Sequence, residues 1–180
     1  MQPRVAPTGV ERKLGADEIV VSKTDLRGRI TYANSVFLRM CACREREVLG
    51  RPHNLIRHPA MPRALFRLLW DTIKAGDEVF AYVLNLGLDG AHYWVFAHVT
   101  PSYDAAGAMV GYHSNRRAPH PAAVASITPL YQALIEEERR HRDPVEAIDA
   151  GTGLLHARLA EVGLTYDQFV WSLTPDLARR

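Results

Sequence analysis

Cysteine is nearly absent from this 180-residue chain, which has only Cys41 and Cys43. Two thiols two positions apart, with no second pair, cannot complete a zinc site, and helical spacing would set them on different sides of one helix. They read as small helix residues. Long apolar runs are missing too. Stretches such as 79–84 and 95–97 fall far short of the ~20 residues that span a bilayer, and the N-terminus lacks the apolar core of a signal peptide. No membrane insertion is expected, and a cytoplasmic location follows. The two signs of charge nearly balance, 22 Lys and Arg against 20 Asp and Glu. A formal net charge of +2 with scattered basic residues offers no stripe for nucleic acid.

Catalytic signatures are lacking as well. There is no Gly-x-Ser-x-Gly elbow, phosphate-binding P-loop or His-Glu-x-x-His helix. Gly151-Thr152-Gly153 is not a dinucleotide fingerprint, because His156 stands at the third glycine position and no strand precedes it. An enzyme is not expected. The chain has no long heptads or kinase region, so any output must pass through another protein.

What remains has globular proportions, 47% hydrophobic and 23% charged, and a length that suits one domain with an appendage. Residues 1–17 have no apolar period and read as a flexible arm. Ile19, Val20 and Val21, the turn at Asp25–Gly28 and the run Arg29–Ala33 read as a hairpin. Asn34 suits the N-cap of a short helix carrying Val36, Phe37 and Met40. A second short helix closes at Gly50, and Pro62–Ala75 reads as the clearest helix, with Leu65, Leu68, Leu69, Thr72 and Ile73 at helical spacing.

Glu78–Leu88 and His92–Tyr103, joined through Asp89-Gly90, read as an antiparallel pair, and Ala108–Arg116 as a fifth strand. Trp94, Phe96 and His98 should point to one face of the sheet and Tyr93, Val95, Ala97 and Val99 to the other, so both faces need a cover. The expected fold class is therefore α+β, a five-stranded antiparallel sheet with short helices over residues 18–118. A helical C-terminal extension, 119–180, follows, with helices at Pro129–Arg140 and Val145–Val162. A last capped helix carries Phe169, Val170, Trp171 and Leu173 as a docking or dimerisation element.

One unusual set of side chains is left over: His53, Asn54, Arg57, His58, Trp70, Asn85, His92, Tyr93, Trp94 and His98. These ingredients suit an aromatic-lined pocket with a few polar anchors. The residues alone equally allow core packing for Trp70 and Trp94 and helix capping for Arg57 and His58.

The run His53-Asn54-Leu55-Ile56-Arg57-His58-Pro59-Ala60-Met61-Pro62, with Trp70, Gly90-Ala91-His92-Tyr93-Trp94 and Tyr32-Ala33-Asn34, resembles PAS domains of the aerotaxis-receptor type. The likeness runs from about Val20 to Arg117 and continues weakly to Tyr131. It implies the PAS fold, noncovalent FAD and a redox or oxygen sensor that signals to a partner such as a chemoreceptor or kinase, as a homodimer. Carried over to matching positions, it implies flavin contacts at Asn34, His53, Arg57, His58, Trp70, Asn85 and Trp94. Ala60 departs from the usual His-Pro-Asp. That change removes a charge near Arg57 and is expected to weaken flavin retention. No membrane anchor or chemoreceptor signalling domain is present, so a stand-alone module is expected. The alternatives are heme b on His53, His58, His98 or His113, and a cofactor-free interaction module.

Overall fold

The structure, a computed structural model, describes residues 5–173. Strands β1 (Val20–Asp25), β2 (Ile30–Ala33), β3 (Val79–Leu86), β4 (His92–Tyr103) and β5 (Met109–Arg117) form one antiparallel sheet in the order β2-β1-β5-β4-β3. Between β2 and β3 lie α1 (Ser35–Met40), α2 (Glu45–Val48), a 3-10 turn (His53–Ile56) and α3 (Arg63–Lys74). After β5 come α4 (Pro121–Arg139), α5 (Pro144–Glu161) and α6 (Tyr166–Ser172). The Asn34 side chain accepts from the Phe37 amide at 2.9 Å and so starts α1. Helix α4 begins eight residues before the expected Pro129, which sits inside it. Pro129 has no amide to offer the Ala125 carbonyl, and in the turn before it the Ser126 and Thr128 hydroxyls donate to the Ala122 and Val124 carbonyls.

The period-2 register turns Val79, Ala81, Val83 and Asn85 of β3 to one face with Val95, Ala97 and Val99 of β4. This inner face packs under α3. The outer face presents Phe80, Trp94, Phe96 and His98, and the extension covers it. Trp171 of α6 lies 4.6 Å from the Phe80 ring and 5.7 Å from Phe96, and Tyr131 of α4 stacks on Trp94 at 6.4 Å. The apolar cluster on the last helix thus docks on this chain's own sheet.

Strand β3 is an edge, and its outward groups are taken up locally. Arg57 bridges Asn85, Met61 Sδ lies 3.3 Å from the Leu84 amide, and the Tyr131 hydroxyl donates to the Tyr82 carbonyl at 2.8 Å. From there α4 carries Glu138 to the start of α3. Pro62 offers no cap there, and buried Glu138 accepts from the Ala64 amide at 2.9 Å instead.

Two expectations change. The arm is docked rather than flexible where it is described: Thr8, Val10 and Arg12 exchange backbone hydrogen bonds with Gly90 and His92, and Leu14 is buried. Backbone pairing of this kind needs no apolar period and leaves no mark in the sequence. Residues 1–4 of that arm lie outside the described residues. Cys41 and Cys43 do not share a helix, because α1 ends at Met40 and Ala42 turns left-handed at φ 50°. Among the described residues no helix is long and apolar enough to cross a membrane.

Glu138 tests how the extension is tied on. Glu138→Ala strands the buried Ala64 amide and should cost about 1–3 kcal/mol in urea unfolding, whereas Glu138→Gln, which keeps an acceptor oxygen, should lose less. A loss below about 0.5 kcal/mol for the alanine variant would show that the cap does not matter.

Candidate functional site

Between the inner sheet face and α3 lies a cavity of about 800 Å³, within the ~300–1,000 Å³ typical of small-molecule sites. Its floor is built by alternation along the strands: Ser22 from β1, Val83 and Asn85 from β3, Ala97 and Val99 from β4, and Tyr112, Ser114 and Arg116 from β5. Helix α3 roofs it with Phe66, Leu69, Trp70 and Ile73, and the loop from His53 to Arg57 closes one end. The Trp70 ring meets Tyr112 edge-on at 5.5 Å. A Cβ at Gly28, which has φ +73°, would lie 2.8 Å from that ring, so the turn between β1 and β2 must be glycine for Trp70 to sit there. Exposed Arg27, Arg63, Arg67 and Lys74 line the rim.

The deep end is polar and incompletely bonded. Arg116 is 5% exposed. Its Nη2 donates to Ser22 Oγ at 3.0 Å and to His53 Nε2 at 2.7 Å, and it enters no ion pair recorded among the described residues. A guanidinium only donates, so His53 Nε2 accepts, and a neutral ring then carries its proton on Nδ1. Burial, with the Arg116 charge beside it, pushes His53 down to about 3. Burial also lowers Arg116 below its ordinary value, yet an arginine stays charged in proteins. Within this one cavity Asn85 Nδ2, Ser114 Oγ and Arg116 Nη1 are buried without a hydrogen-bond partner. Native interiors contain few such atoms. Three around one space fit a ligand that presents carbonyl or anionic acceptors to them. Apolar walls on floor and roof suit a flat aromatic ring, and the cationic rim suits phosphate.

Of the seven residues the resemblance carries over, His53, Arg57, Trp70 and Asn85 line this cavity, and Asn34, His58 and Trp94 do not. The Asn34 side chain is used up by the Val21 and Phe37 amides and the Ile19 carbonyl. His58 Nδ1 accepts from the Ala60 amide and its ring faces His92; burial, then His92, lowers its pKa. Trp94 lies on the outer face against Tyr131. Arg57 is held by the Met61 carbonyl and by the Phe66 ring, 4.0 Å away.

The four histidines proposed for heme do not converge. His98 stacks on Phe80 and contacts Glu78, and His113 contacts Asn115, both on the outer face. The one histidine in the cavity has its Nε2 occupied by a guanidinium, which does not suit iron ligation. Sequence reasoning missed Arg116, Ser114 and Ser22. Period-2 alternation from Tyr112 would have placed Ser114 and Arg116 on the inner face, and an arginine at a core-facing position was the available signal.

The chain belongs to the PAS-fold family, whose model matches residues 19–113. It is 39% identical to the aerotaxis receptor of Escherichia coli over 121 residues, 67% of this chain and 24% of that one. It is 27% identical to the nitrogen fixation regulatory protein of Klebsiella pneumoniae over 99 residues, 55% of this chain and 20% of that protein. The chain thus spans about a quarter or less of these relatives. In fold it matches an RNA-binding light-oxygen-voltage receptor, with TM-score 0.53, 21% identity and coverage of 66% of this chain and 33% of that one. It also matches a light-oxygen-voltage domain described with a flavin analogue, with TM-score 0.51, 20% identity and coverage of 68% and 86%.

The depressed His53 gives a pH prediction. The unfolded chain's imidazole takes up a proton below its ordinary 6.5 and the folded one only near 3. This contribution to stability is therefore complete above pH 6.5 and lost as pH falls toward 3. Ring nitrogen NMR of the apo protein should find His53 neutral at pH 5, and His53→Gln should flatten the acid side of the stability curve. Protonation of His53 between pH 6 and 7 would contradict the Arg116 contact.

Proposed function

We propose that residues 18–118 form a redox or oxygen sensor that holds FAD noncovalently in the cavity under α3, and that residues 119–180 carry its output. The three unpartnered polar atoms of Asn85, Ser114 and Arg116 around one ring-sized apolar space support this reading most directly. The cationic rim at Arg27, Arg63, Arg67 and Lys74 favours a ligand with phosphates, and the resemblance to the aerotaxis receptor favours a flavin.

A bound flavin supplies a ring system whose charge and protonation change on reduction. The chain's own residues set the response. Arg116 holds a fixed positive charge, kept strong by burial, against the deep end of the site. His53, neutral and accepting from Arg116, adds no second charge. Asn85 offers an amide that can donate or accept at the same end, and Phe66 and Trp70 confine the roof. Asn85 sits in β3, whose neighbouring residues Tyr82 and Leu84 face the extension, so a change in its hydrogen bonding reaches α4 through the strand. Ala60 leaves the Arg57 loop without the family carboxylate, which is expected to loosen retention. The reading includes a cytoplasmic homodimer acting on a chemoreceptor or kinase. A cofactor-free module is disfavoured, because it leaves one nitrogen of a buried cation and two further buried polar atoms without a hydrogen-bond partner.

The full chain incubated with FAD should keep flavin absorption bands after desalting and lose them with dithionite. Asn85→Ala removes one charge-neutral hydrogen bond and should weaken binding about tenfold, while Trp94→Phe on the opposite sheet face should leave it within about twofold. A colourless protein would sink the flavin reading, and a Soret band would move it to heme.

A further inference from the structure

The cavity wall is completed by a residue from outside the family-matched region. Ile148, on the second turn of α5, lines the mouth beside Arg63, Phe66 and Arg67 of α3. The next residue, Asp149, lies 3.8 Å from Arg67 as an exposed ion pair. Gly151, less than one turn on, is buried where three helices meet. A Cβ there would stand 2.9 Å from the Glu138 side chain and 3.2 Å from Ala64 Cβ. Leu155 and Leu159 continue into the core. In the other direction Pro144, Val145 and Glu146 are exposed, and Val145 leaves 63% of its surface to solvent. Ala147, one turn before Gly151, is buried as well, so helix α5 is anchored on both sides of Ile148 and only its first turn is exposed. At its N-terminal end an exposed ion pair, which holds weakly in water, and the half-buried Ile148 keep it against the cavity.

We propose that α5 is part of the wall of the ligand cavity, with Ile148 as a binding residue that touches the ligand at the mouth. Ligand occupancy then acts directly on the α4–α5 hairpin, in addition to any path through the sheet. This rests on the flavin reading above. Because α5 is packed on both sides of Ile148, through Ala147 and Gly151, a ligand in contact with that residue bears on the helix as a unit and so on the rest of the extension.

The test measures flavin release from the full chain by the rise in flavin fluorescence on dilution, together with amide exchange of residues 144–150 with and without FAD. Ile148→Asp should speed release at least tenfold. Asp149→Lys, an exposed change that repels Arg67 without touching the core, should speed it severalfold. FAD should slow exchange at 144–150. If the unaltered chain retains FAD but both variants release it at the unaltered rate and exchange at 144–150 does not respond, the Ile148 contact is overturned and the cofactor reading stands. If the unaltered chain takes up no FAD, both fall together.

Discussion

A single buried positive charge constrains the rest of this structure. Arg116 sits at the end of β5, in the floor of a cavity, with a serine hydroxyl and a neutral imidazole as its partners and one guanidinium nitrogen unbonded. Removing an ion from water costs several kcal/mol even after the protein relaxes. Neutral partners recover part of that. A buried guanidinium beside about 800 Å³ of space suits a ligand that enters the space and accepts from it, which is the basis of the proposed function. The depressed His53 follows from its burial first and then from the same charge, since a second cation 2.7 Å from the first is disfavoured.

The sheet connects this site to the extension. Its inner face holds the cavity, and its outer face is covered within the same chain by Tyr131 and Trp171. Covering that face satisfies the apolar alternation of β3 and β4, and it also places α4 and α6 one strand thickness from Asn85. Helix α5 returns to the inner side, where Glu138 and Gly151 lock it to the start of α3. The extension thus contacts both sides of the domain: the strands beneath the cavity and the helix above it.

Much of this was legible in the chain. Alternation in β4 told the two sheet faces apart, Asp89-Gly90 marked the hairpin, Asn34 marked a cap, and the apolar period of α3 gave its length. The capping box at Thr165 located α6. Less legible were features fixed by distant partners. The docking of residues 8–14 depends on backbone bonds to Gly90 and His92. Glu138 reads as a surface residue of a charged helix end until α3 supplies an amide that lacks a cap. The candidate site divided in the same way. His53, Arg57, Trp70 and Asn85 meet in the cavity, but motif matching could not tell that Trp94 faces away from it or that Asn34 is spent on capping. Arg116 carries no motif and emerges only from its place in an inward-facing alternation.

The most direct test of whether this cavity is a ligand site built around a charge is Arg116→Met, with urea stability of the apo protein and FAD retention measured on the same preparation. Ser22 Oγ lies 3.1 Å from His53 Nε2 and can donate to it once the guanidinium is gone, so the loss should not strand the imidazole. If Arg116 is held for a ligand, the variant should be as stable as the unaltered apo protein or more so, because a buried ion with only neutral partners has been replaced by an apolar chain of similar reach, and it should lose FAD retention. A clearly destabilised apo protein that still retains FAD would contradict this and make Arg116 a structural group.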